Sequence, residues 1–269
     1  MADVGKLYAK ELHHASTYVA AWLPNINVKL GDVGQLKGEL FSVETTLDML
    51  GIPFTVRKGA KPVDFDYKSG ISVKVKAAGN VAAGTTLPQA KAGISIQFDK
   101  EGAFLFQAAG CMVDQIENKA AVGNGVRELL EKKKWQPDWV VVDTVVRVDV
   151  ATIFVSNSRS AALDLTAETA VTAANLADLK AGLSMNYQRG EVFRFIASEG
   201  LTPLFMLSGL KQSIIDWILH KPGSYTQLPS LRYGFDKTKE AFPKQSDETI
   251  EAVLKDLEDP LETVAPKWE

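Results

Sequence analysis

With 269 residues, 46% of them hydrophobic and 23% charged, the chain fits one large domain or a domain with an appendage, and it can fill a sizeable core. A single cysteine, Cys111, excludes an internal disulfide framework and a cysteine-based zinc site, and the opening MADVGKLYAKELHH has no apolar signal core, so a cytosolic protein is expected. The net charge of −3 is uneven: residues 245–269 carry eight acids against two lysines, which leaves a mildly basic body and little footing for a nucleic-acid partner.

Residues 3–16 read as a helix, with Val4, Leu7, Tyr8 and Leu12 in one stripe and Lys6 and Lys10 beside it. Residues 17–68 mix short apolar runs with turn signals such as Pro24-Asn25 and Lys58-Gly59, so several short strands are expected, with a helix as an option near 43–50. Two alternating runs follow. Ile71, Val73, Val75 and Ala77 alternate with Ser72, Lys74 and Lys76, and Ile94, Ile96 and Phe98 alternate with Ser95, Gln97 and Asp99. A small, flexible connector joins them, and the pair reads as an antiparallel hairpin. Residues 103–116 continue as strand or turn. Residues 119–134 are patterned as a helix, with Val122, Val126, Leu129 and Leu130 on one face and Lys132, Lys133 and Lys134 at a basic C-terminal end that suits the helix dipole.

The stretch 139–156, WVVVDTVVRVDVATIFVS, alternates with period two for about three times the length of a typical strand. Val140, Val142, Val146, Val148, Val150 and Phe154 fall on one face, and Asp143, Arg147 and Asp149 on the other. After the Ala-rich residues 166–182, alternation resumes at 183–197 with Leu183, Met185, Tyr187, Phe193 and Phe195, so residues 139–197 are expected to form a second hairpin with a bulky tip. A helix is expected at 209–220. In the tail, Ser246 or Asp247 can cap a helix striped by Ile250, Val253, Leu254 and Leu257 and ended by Pro260. No apolar run is long enough for a membrane helix.

Catalytic chemistry is thin. His13 and His14 are adjacent on a helix and point apart, which makes a poor metal pair, and no HExxH, P-loop or G-x-S-x-G occurs. The GNGVRE stretch lacks a third glycine and sits inside a helix. Asp143 and Asp149 could do acid–base work, but interleaved Arg147 favours a solvated or ion-paired sheet face. Cys111 reads as a buried small hydrophobe. No enzyme and no cofactor are expected.

The expected fold class is α+β, a twisted antiparallel sheet with two long hairpins flanked by amphipathic helices. A basic first helix, the loop TVRKGAKPVDFDY, hairpin one, an amphipathic helix, the long strand, a return strand and the apolar close EGLTPLFML follow in that order. This order resembles the pore-forming domain of the gasdermin family, most of all its compact microbial and fungal members, including the fungal regulator-of-cell-death branch. The resemblance covers roughly residues 1–220. It implies a pore-forming domain over 1–244, with 245–269 as an acidic tail helix. It also implies binding to acidic phospholipid, a homo-oligomeric ring, with or without a related variant chain, and refolding into a transmembrane β-barrel that kills the cell. The protein would then be cytoplasmic when soluble and sit at the inner leaflet of the plasma membrane when active. Carried onto this chain, the lipid contacts would be Lys6, Lys10, Arg57, Lys58 and Lys61, with Phe65 and Tyr67 as interfacial anchors and Lys132, Lys133 and Lys134 adding attraction to headgroups. The inserting face would carry Ile71, Val73, Val75, Ile94, Ile96, Phe98, Val146, Val148, Val150, Phe154, Met185, Tyr187 and Phe193. Two departures stand out. The acylated cysteine that bacterial relatives carry near the N-terminus has no counterpart, and only about 50 residues stand where animal relatives have an inhibitory domain. The acidic tail is expected to mask the basic body in part. The competing reading is a soluble α+β binding module, its sheet face permanently buried around a lipophilic pocket.

Overall fold

A computed structural model describes residues 4–21, 27–37, 40–78, 93–167, 183–197, 201–212, 214–215, 255–256 and 259–265, with the side chains of 77–78, 93, 166–167, 183–187 and 195–197 outside the description. Two helices, α1 (Val4–Ser16) and α2 (Lys119–Glu131), lie among antiparallel strands in the described residues. The main sheet has eleven strands. Its central path runs β1 (Val19–Ala20), β14 (Leu201–Leu210), β9 (Trp139–Val148), β8 (Phe104–Ile116), β10 (Val150–Ser156) and β13 (Val192–Ala197). Beside this path, β2 (Asp32–Lys37) joins β3 (Leu40–Thr46) to β9, while β4 (Val56–Arg57) and β5 (Val63–Lys68) pair with β8, and β15 (Leu261–Val264) pairs with β14. A second sheet has four strands in the order β12 (Leu183–Arg189), β11 (Ala161–Ala167), β7 (Gly93–Phe98) and β6 (Val73–Ala78).

Both expected hairpins form and lie side by side: β6 pairs with β7, β11 with β12, and β7 with β11. β5, β8, β10 and β13, the main-sheet strands that lead into them, hold the same order. The small sheet is therefore the far end of one four-stranded ribbon whose near end belongs to the main sheet.

Each helix covers part of the main sheet because of its apolar spacing. Val4, Tyr8 and Leu12 recur at every fourth position, are buried, and pack with Phe104, Phe106, Ile153 and Val155. Thr17, at φ +65°, ends α1, and the Ser16 hydroxyl donates back to the Leu12 carbonyl at 2.8 Å. On α2, Val122, Val126 and Leu130 pack with Val33, Ile116, Val141 and Leu261 in a separate core.

The structure corrects four expectations. The 139–156 run is two strands, interrupted at Asp149. Opposite the interruption lies Gly110 at φ +65°, where a Cβ would come within 2.1 Å of the Asp149 carboxylate. The break reverses facing: Val146 and Val148 share the α1 core with Ile153 and Val155, whereas Phe154 belongs to the core of the small sheet. Val146, Val148 and Phe154 thus do not share a face in the folded chain. Ile71 is not on a strand; it sits in a 3-10 turn, Gly70–Ser72, and is 93% exposed. The 43–50 segment holds no helix, because β-branched Val43, Thr45 and Thr46 extend β3 up to a turn closed by Leu50 N–H on the Thr46 carbonyl. Finally, Gly209 and Leu210 end a strand, so the expected 209–220 helix starts later: residues 212, 214 and 215 are helical, and the rest of it lies outside the described residues, as does most of the tail helix.

Candidate functional site

The basic residues singled out above divide between two places. The first is the α1 side of the ribbon. Lys6 is exposed on α1 and Lys10 half-buried. α1 packs on β5, whose Phe65 and Tyr67 stack on each other at 5.6 Å and 19°. Tyr18 lies 6.0 Å from Phe65, and Phe106 lies 6.1 Å from Tyr67. The two aromatics are therefore half-buried members of the α1 core with only their edges in water. Just before β5, Arg57, Lys58 and Lys61 are exposed. Arg57 pairs with Glu117 at 3.3 Å, an exposed pair of small energetic weight. The Gly59 N–H donates to Asp114 at 3.1 Å, which ties this basic loop to β8. Lys132, Lys133 and Lys134, all exposed, lie instead past α2 over the other core, so the structure does not join them to the α1 cluster.

In the first hairpin the apolar residues other than Ile71 are found where alternation puts them. Val73, Ile94, Ile96 and Phe98 are buried with Leu163 and Leu165 in the core of the small sheet, and Val75 packs against it. On the opposite side, Lys74 and Lys76 are exposed, and Lys74 pairs with Asp99 at 2.6 Å. Val150 is buried, and Phe193 is 42% exposed on the outermost strand. Met185 and Tyr187 lie on β12 opposite Leu165 and Asp164, with their side chains outside the described residues.

Two polar clusters take partners that the sequence reading did not name. Asp143 is 2% exposed and accepts hydrogen bonds from Lys119 Nζ at 2.9 Å, Thr144 Oγ1 at 2.7 Å and Ser208 Oγ. It pins α2 to β9 and β14. Arg147 grips Asp114 with two bonds, at 2.8 and 3.2 Å. Burial acts to raise the Asp114 carboxyl, but the Arg147 bonds and the Gly59 N–H outweigh it and hold it below the usual carboxylate range. The only available signal was an acid or base at odd parity in an apolar strand, and that does not name its partner. Cys111 is fully buried, and burial pushes its thiol up to about 12, with the Asp64 carboxylate adding to the effect.

Among the described residues no cluster of three or more candidate metal ligands occurs, and no helix is long and apolar enough to cross a membrane. No protein-family model matches the chain, and no curated protein matches it.

Proposed function

We propose that the chain is a non-enzymatic, gasdermin-like pore former. In this reading it is cytoplasmic in the folded state and binds acidic lipid at the inner leaflet of the plasma membrane through the α1 and 57–67 region. It assembles into a ring, alone or with a related chain, and inserts both hairpins of each subunit as part of a transmembrane barrel. The observation that carries the reading is the paired hairpins: two neighbours in one ribbon, each apolar on one face and polar on the other. A transmembrane strand needs roughly 9–11 residues. The Val63–Ala78 arm alternates apolar and polar residues over more than that length, although its strands stop and restart around Ser69–Ser72. The basic residues near α1 supply attraction to anionic headgroups, about 1 kcal/mol for each charge at the surface.

One observation favours the second reading, a binding module. Ile96, Phe98 and Leu165 are at most 1% exposed, so the apolar face is covered in the folded chain. Dye release separates the two. The pore former should empty vesicles containing anionic lipid, spare neutral ones, and form large oligomers on the former. No release from either kind, by full-length or tail-truncated protein, would leave the binding module standing.

A further inference from the structure

The four strands of the ribbon break at one level. β5 passes to β6 across 69–72, β8 to β7 across 99–103, β10 to β11 across 157–160, and β13 to β12 at 190–191. The central pair keeps its register through the break. Arg147 faces Met112, Val150 faces Ala109, Val155 faces Phe104, Ala161 faces Phe98 and Thr166 faces Gly93, so each step forward on one strand is a step back on the other. Between the paired positions Phe104–Val155 and Phe98–Ala161, each central strand has five residues, 99–103 and 156–160, and they oppose each other.

Facing, however, changes across the break. In the main sheet Phe104 and Val155 point to the α1 core, and their neighbours Leu105 and Phe154 point the other way. In the small sheet Phe98 and Ala161, each six residues from its main-sheet counterpart, pack with Leu105 and Phe154. Side chains six apart on an unbroken strand share a face. The same holds on the outer arm for Tyr67, which packs on the α1 core, and Val73, which packs in the small-sheet core. Ile71 lies between them in phase with both, and it is 93% exposed. The bend thus stores on opposite sides of the main sheet two apolar patches that share one parity in the sequence, with Ser69, Lys100, Asn157 and Arg159 between them at that same parity.

α1 rests on the bend. The Glu11 carboxylate pairs with Lys100, and a Cβ on Gly102, which has φ +75°, would lie 2.4 Å from Leu7 Cβ. The Gly102 N–H donates to the Ser156 carbonyl at 2.8 Å, and the Ser156 N–H to that of Ala103 at 2.9 Å, so the contact reaches both central strands.

We propose that the four breaks form a single hinge, clamped bent by α1 at Lys100 and Gly102, and that withdrawal of α1 lets the ribbon straighten with its central register intact. The two patches then lie on one face, parted at the hinge by Lys100, Asn157 and Arg159. The role of that face rests on the pore-forming reading; the clamp does not. α1 carries Lys6 and Lys10, so a lipid surface that draws on the helix also loosens the hinge.

The clamp is tested in solution, without membrane. In Glu11→Gln, amide exchange at Gly102 and Ser156 should quicken about two- to fivefold, as expected for loss of one partly exposed ion pair. Leu7→Ala should quicken it further, the exchanged pair Glu11→Lys with Lys100→Glu should restore protection, and the α2 core should be unchanged throughout. Unaltered exchange at the hinge, or an equal rise everywhere, overturns the clamp. Register is tested with Ser95→Cys and Asp164→Cys, which face each other on β7 and β11, in a Cys111→Ser background. The disulfide-bonded protein should release dye from vesicles with anionic lipid as well as its reduced form does. Release only after reduction would show that the central strands must re-register, against the proposal. If even the unmodified protein releases nothing, the pore reading and the register claim fall together, and the exchange measurement alone decides the clamp.

Discussion

Asp143 is the residue on which three elements depend. Its carboxylate is buried yet accepts from a lysine of α2, a threonine of its own strand and a serine of β14. Removing one side of such a network leaves buried donors unsatisfied. Asp143→Ala should therefore lower stability in urea by about 3 kcal/mol; a loss below about 1 kcal/mol would mean that water replaces the carboxylate. Asp114 gives a pH dependence of known sign. Its pKa is lower in the folded chain than in the unfolded one, so its stabilising contribution is complete above the ordinary carboxylate range and is lost as pH falls through the folded value. Melting temperatures of Asp114→Asn should fall less steeply than those of the parent on acidification. Parallel acid limbs would contradict that role. Sequence parity predicted a solvated or ion-paired face around Arg147 and left the partner open, since Asp114 comes from another strand.

At the scale of elements, both helices were legible from their stripes, and both hairpins from alternation. Three features were not. Gly110 and Asp149 break a run that reads as continuous, because the break lies opposite a glycine of positive φ that only the pairing identifies. The bend at Ser69–Ser72 hides inside an alternation of Val63, Phe65, Tyr67, Ile71 and Val73 that only Ser69 interrupts. β15 sits beyond the proline that closes the expected tail helix. It pairs with β14, buries Leu261 in the α2 core, and follows an ion pair between Asp256 and Lys211 at 3.1 Å. Truncation after Lys244 removes that strand with the tail's negative charge. Binding to anionic vesicles should rise, while stability falls by about 2 kcal/mol for loss of the buried Leu261 and exposure of the core around it. Equal vesicle binding by the two forms would deny the tail a masking role.

For the whole molecule, the class α+β with a dominant antiparallel sheet was legible, and its layering was not. Nothing in the spacing of hydrophobic residues says that α1 and α2 cover different cores, or that the basic end at Lys132, Lys133 and Lys134 belongs with the second. That division matters for docking on an anionic surface. Lys6 and Lys10 lie on α1 at the first core, and the 57–61 loop starts at the second, where Arg57 pairs with Glu117 next to Ile116. The constant register of the central strands also has a kinetic side. Pairing starts beside the connection that holds α2, where Gln115 meets Thr144, and ends where Gly93 meets Thr166, at more than twice the sequence separation. Loop closure grows slowly with length, about 0.6 kcal/mol for each doubling, so the ladder can zip outward from α2 at small added cost. Val146→Ala should then slow refolding, whereas Leu163→Ala should mainly speed unfolding. The reverse pattern in stopped-flow chevrons would place nucleation at the hairpins. An order of this kind makes the hairpin ends the last part of the chain to fold and the first to open.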